Sequence, residues 1–141
     1  MIRKLKVMVF QAKRYNVDEI EMAMKNIGFE VKEVEDTPQA FAAAMCCRYI
    51  DIVKRKIGRK NYNIICEDDG YGVNESLVSI LNRRDQNQNV YGNIVIAGVE
   101  DKEGELTSLS DRDVESVVSK IGYTSEVIEG KEITSPVIII G

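Results

Sequence analysis

The residues best placed to do chemistry are a short acidic run, a glycine pair, a few arginines and a few tyrosines. Glu67-Asp68-Asp69, with Glu75 close behind, supplies oxygen ligands of the kind that magnesium or calcium prefers. Its spacing is not that of an EF-hand loop, and consecutive acids in a tight turn point in different directions, so the run reads as a solvated turn. Gly70-Tyr71-Gly72 lies after a strand-like segment, where phosphate-cradling loops sit. The third glycine of a dinucleotide fingerprint would fall at Glu75, an anion where a pyrophosphate should approach, and no Gly-Lys-Ser/Thr follows. That segment also reads as a turn.

Arginine is the side chain that clamps phosphate through two parallel N–H bonds, which singles out Arg83-Arg84 and Arg112. Arg112 falls in the first turn of an expected helix, where a cation opposes the helix dipole unless an anion joins it. Asp111 and Asp113 supply such anions locally. Tyr49, Tyr71 and Tyr91 could stack on a base, and Asn74 and Asn93 could read a base edge or a ribose. Asn74 could equally cap a helix.

Histidine is absent from all 141 residues. Ser-His-Asp and Cys-His pairs are therefore excluded, along with the commonest general base and metal ligand at neutral pH. Cys46 and Cys47 are adjacent, Cys66 stands apart, and no CxxC spacing occurs, which argues for reduced thiols and neither a disulfide frame nor a zinc site. With 19 basic and 23 acidic residues the net charge is -4, against general DNA binding. The apolar stretch Val7 to Phe10 is too short for a signal-peptide core, and Pro136 to Ile140 cannot span a bilayer. The expectation is a cytoplasmic protein with no membrane partner, no cofactor and no metal.

Several elements must position these residues. Alternation predicts a strand over Leu5 to Val9, and Asn16 with Glu19 opens a helix carrying Val17, Ile20, Met24 and Ile27 to a stop at Gly28. Phe29 to Val34 reads as a strand, and Thr37-Pro38 starts a second helix. Tyr49 to Lys56 and Tyr62 to Cys66 form a hairpin about a basic turn. Val73, Leu77, Ile80 and Leu81 suggest a third helix, Asp85 to Asn89 a polar loop, and Val90 to Val99 one central strand. Ser110-Asp111-Arg112-Asp113 caps a fourth helix that runs through Val114, Val117, Val118 and Ile121 to Gly122. Tyr123 to Ile128 and Pro136 to Ile140 are late strands about a Glu129-Gly130-Lys131 turn. No linker or repeat divides the pattern. It predicts a single domain over residues 1–141 of α+β (mixed α/β) class, a central mixed sheet with about four helices. The uncharged β-branched run at Pro136 to Ile140 needs cover on both faces, which suggests a homo-oligomer.

Four blocks in order carry a likeness: Tyr49-Ile50-Asp51-Ile52-Val53, Ile65 to Gly70, Tyr91 to Gly98, and Glu105 to Ser110. They resemble a family of small phage and mobile-element proteins that bears only an unknown-function label. That family tends to carry a Gly-Gly pair before the first block, where this chain has Cys47-Arg48. In size, layout and lone arginines the chain also resembles the first type of Thoeris anti-defence protein. Those phage proteins sequester cyclic ADP-ribose-type immune signals without cleaving them, as oligomers. The likeness implies Arg84, Tyr91, Asn93 and Arg112 as ligand contacts. The leading expectation is thus a non-enzymatic sponge for a nucleotide signal, cyclic ADP-ribose type or cyclic oligonucleotide, in a host bacterial cytoplasm. A protein-interaction module that inhibits a host defence enzyme is the alternative, and a magnesium-dependent nucleotide enzyme using the Glu67 to Glu75 acids comes third.

Overall fold

Strand β1 (Lys4–Phe10) shows why the chain builds a layered β structure: side chains on both of its faces are apolar. Leu5, Val7 and Val9 point one way and Met8 and Phe10 the other, and all five are buried. The computed structural model describes residues 3–16, 29–68 and 77–141. Within them β1 lies between β3 (Phe29–Glu35) and β8 (Ile94–Ala97), antiparallel to both, with Leu5 opposite Val34 and Met8 opposite Ile96. β5 (Lys60–Glu67) pairs with the far side of β8, and β4 (Ile50–Ile57) closes the row. The first sheet therefore runs β3-β1-β8-β5-β4, all antiparallel.

A second sheet is organised around β10 (Lys131–Ile140). One side of β10 carries β9 (Ile121–Ile128). The other side takes β2 (Tyr15–Asn16) at Ile133 and Thr134, then β6 (Val78–Asn82) in parallel at Ile138 to Ile140. β7 (Val90–Tyr91) extends the sheet beyond β6. Pro136, with no amide to donate, falls in the gap between β2 and β6, where that side of β10 has no strand partner among the described residues.

Helix α1 (Pro38–Ala44) starts where Thr37 accepts a hydrogen bond from the Ala40 amide, with Pro38 in the first turn. Its Phe41, with Met45 just beyond, packs on Leu5, Val7, Val9, Ile65 and Val95, covering one face of the first sheet. The opposite face, Met8, Phe10, Tyr62, Ile64, Ile94 and Ile96, packs on Ile80, Val90, Ile138 and Ile140 of the second sheet. Val117 of helix α2 (Asp111–Val118) joins that core.

The fold corrects the mixed α/β expectation. Among the described residues strand accounts for 52% and helix for 15%, in two sheets with two α-helices. The expected third helix is overturned from Val78 onward. Its apolar residues have strand partners, Ile80 opposite Ile138 and Leu81 opposite Ile139, and such pairing outweighs a weak helical period. The fourth helix stops at Val118 because Ile121 is already the first residue of β9, opposite Ile138. The expected strand from Val90 to Val99 is two strands in different sheets, broken at Gly92, whose φ of 81 only glycine adopts readily. The terminal run is covered within its own chain, with Val137 and Ile138 fully buried. The expected first helix lies outside the described residues, apart from Asn16, whose backbone is in β2.

Candidate anion-binding cleft

An open cleft of about 690 Å³ forms where the β4–β5 hairpin, the loop after β6, Lys120 and the end of β10 meet. Six cations line it: Lys54, Arg55 and Lys56 from β4, Arg83 and Arg84 from the loop, and Lys120 from the α2–β9 junction. The single acid in the lining is Asp85.

Short polar side chains build the loop. Asn82 Oδ1 accepts from the amides of Arg84 (2.9 Å) and Asp85 (3.0 Å), and Asn89 Oδ1 accepts from the Asn82 amide at 2.7 Å. Asp85 in turn caps a 3₁₀ turn over Gln86–Gln88 by accepting from the Asn87 amide at 3.0 Å. The Arg83 amide donates to the Ile140 carbonyl at 2.9 Å, fastening the loop to β10. At Gly141 a side chain would lie 2.5 Å from Asn82 Oδ1, so the chain passes against the loop without room for one.

The hairpin wall is held by α2. Gly58 turns the hairpin with φ 67, and a Cβ there would meet Ser116 Oγ of α2 at 3.2 Å. Ser110 caps α2 and forms a reciprocal capping box with Asp113. The same Asp113 carboxylate accepts from Lys60 Nζ (2.9 Å) and the Tyr62 hydroxyl (3.2 Å) on β5. Burial alone would raise this carboxyl, but the Ser110 amide, the Lys60 ammonium and the Ser110 hydroxyl outweigh it and hold Asp113 below the usual carboxylate range. Helix and hairpin are thereby clamped, and Lys120 follows two residues after the helix ends.

The six cations are not equivalent. Arg55 is spent on backbone carbonyls, Nε to Gln88 at 2.8 Å and Nη1 to Lys54 at 2.7 Å. Lys54 pairs with Glu100 at 3.1 Å, and the Glu100 amide, Lys54 and Asn63 hold that carboxyl below its ordinary value. Arg83 leans on the Gly141 carbonyl at 3.4 Å. Lys56, Arg84 and Lys120 have no anionic partner among the described residues. The lining contains no thiol, hydroxyl or imidazole to serve as a nucleophile or base. Its lysines and arginines can recognise an anion by charge.

Of the residues expected at a ligand site, Arg84 lies in this cleft. Tyr91 is half-buried in a neighbouring depression of about 150 Å³ with Asp51, Glu67 and Asp68, and Arg55 lines both. Asn93 is internal: its Oδ1 accepts from the Ala12 amide (3.0 Å) and its Nδ2 donates to the Met45 carbonyl (3.1 Å). Arg112 is exposed on the first turn of α2, away from the residues that line the cleft, and Asp111 beside it pairs with Lys6 at 2.5 Å. Tyr71 and Asn74 lie outside the described residues, as do Asp69, Gly70 and Glu75. Sequence reasoning missed Lys54, Arg55, Lys56 and Lys120. The density of Lys54-Arg55-Lys56 and Arg59-Lys60 about one turn was the available signal. Among the described residues no three acids, cysteines or histidines gather as a metal site would need, and no helix is long and apolar enough to cross a membrane.

No curated protein and no solved structure matches the chain. A family profile described as a domain of unknown function, DUF3846, matches residues 20–122, which takes in the hairpin, the arginine loop and α2. The chain belongs to the DUF3846 family.

Proposed function

We propose that the protein is a non-catalytic binder that holds a small phosphorylated ligand of nucleotide type in the basic cleft. One observation carries this reading: Lys56, Arg84 and Lys120 converge on a ligand-sized cleft, and none of the three forms an ion pair among the described residues. The lack of histidine anywhere in the sequence favours binding over turnover. Because Arg55 lines both depressions, a ligand with phosphates among the cations could extend toward the Tyr91 ring. The further step, to a phage anti-defence sponge that sequesters a cyclic ADP-ribose-type or cyclic oligonucleotide signal in the bacterial cytoplasm, is supported by resemblance alone: the four sequence blocks for the phage and mobile-element family, and size, layout and lone arginines for the sponge.

Thermal denaturation with inorganic phosphate, ADP, cyclic ADP-ribose isomers and cyclic dinucleotides tests the reading. A ligand at one hundred times its dissociation constant should add roughly 2.7 kcal/mol to stability, since it binds the native state only. Recovery of that ligand intact after incubation separates binding from cleavage. A panel that leaves the melting curve unmoved overturns the proposal.

A further inference from the structure

We infer that two copies of this chain associate by antiparallel pairing of their β9 strands about a two-fold axis. Among the described residues the sheets present several edges, and all but one are blunted. β3 carries Glu30, Lys32, Glu33 and Glu35, and β4 carries Asp51, Lys54, Arg55 and Lys56. β2 and β7 are two residues each. Charge and shortness are the usual means by which an edge avoids pairing. β9 is neither short nor rich in charge. It is eight residues long, and none of the described strands pairs with its outer side. Its one charge, Glu126, is engaged by Arg14 at 3.3 Å.

The exposed side chains of this strand select a second copy as its occupant. Tyr123, Ser125 and Val127 share one face of β9, and Tyr123 is 43% and Val127 76% exposed. A two-fold axis at Ser125 sets Tyr123 of each copy against Val127 of the other, an aromatic and β-branched pair of the kind that stabilises neighbouring strands. In that register Glu126 faces Thr124 of the other copy and never a second Glu126. The register thus pairs apolar side chains with one another and sets no like charges directly opposite. Two-fold pairing also closes the assembly at two copies, because the described residues of each chain offer one such edge.

Sedimentation over about 1–100 μM tests the inference, together with a Val127→Lys variant checked for an unchanged circular dichroism spectrum. The native chain should dimerise, and the variant should dissociate at least tenfold more readily. A monomer throughout, or a dimer that Val127→Lys leaves intact, overturns the proposal. Ser125→Cys, made with Cys46→Ser and Cys47→Ser, keeps the test independent of the lysine. Mild oxidation should join Cys at that position to its counterpart across the axis, and a dimer that does not cross-link overturns the two-fold register.

Discussion

Removing the Asp113 carboxylate should loosen the wall of the cleft at a definable cost. In Asp113→Ala the Ser110 amide loses its acceptor at 2.8 Å, which is half of a capping box and worth about 1 kcal/mol. The Tyr62 hydroxyl, 1% exposed, loses a charged acceptor, for roughly 1.5–3 kcal/mol. Lys60 is half-exposed and returns to water at little cost. The total is about 3 kcal/mol, or roughly 10 °C in melting temperature for a chain of this length. Asp113→Asn keeps the shape and loses the charge, so it should fall by about half as much. The folded-state carboxyl titrates below its unfolded value, so its contribution is present above the unfolded pKa near 4 and is lost as pH falls through the folded one. Urea denaturation at pH 7 and again below pH 4 should therefore show the gap between native chain and Asp113→Asn closing in acid. A gap that stays constant across that range, or an Ala variant within 0.5 kcal/mol of the native chain, would refute the clamp.

Arg84→Ala and Lys56→Ala should each weaken binding of a phosphorylated ligand by about 1.5–3 kcal/mol in calorimetry, while Arg112→Ala leaves it unchanged. Equal losses at all three would mean that only net charge matters. Cys66 is pushed up to about 11 by burial first, then Asp51. A raised pKa gives stability that is full below the unfolded value and is lost as pH rises through the folded one. Stability should therefore fall between about pH 9 and 11 by on the order of 2 kcal/mol, and Cys66→Ala should flatten that fall in alkaline melts. Iodoacetamide at pH 8 should label exposed Cys46 well before Cys66, as followed by intact mass. Cys46 itself occupies φ 55 where α1 ends, with the Cys46 and Cys47 amides donating back to Ala43 and Ala42. Cys46→Gly should raise stability by about 0.5–1 kcal/mol, and a lower melting temperature would show that the thiol itself is needed.

Local chemistry was legible from the residues. Thr37-Pro38, Ser110 with Asp113, the hairpin about Gly58 and the turn at Gly130 all stand where short-range rules put them, because caps and two-residue turns depend on neighbours alone. The partition into two sheets was not legible. Ile80 and Leu81 fit a helical stripe as well as a strand, and only a parallel partner some 58 residues away, Ile138 for Ile80, decides between them. Asn93 was expected at a ligand site because its amide could read a base edge or a ribose and because the resemblance implied it as a contact. Its work is to tie Ala12 to Met45, where β7 passes into β8 and the chain leaves β1 for β2. The cleft was half legible: Arg83-Arg84 stood out as a pair, whereas Lys56 and Lys120 gain meaning only when the hairpin and the end of α2 meet.

The position of β10 in chain order has a consequence for synthesis. All five strands of the first sheet lie between Lys4 and Ala97, so that sheet can assemble on a ribosome while later residues are still being added. The second sheet cannot, because β10 is the strand on which β2, β6 and β9 all depend. Until it emerges, Met8, Phe10, Ile64, Ile94 and Ile96 lie on a sheet face that lacks Ile138 and Ile140 as cover. At about 5–20 residues per second, the forty-odd residues after β8 leave that face bare for several seconds. The nascent chain thus passes through a stage that invites chaperone capture or aggregation, and anything that delays β10 prolongs it.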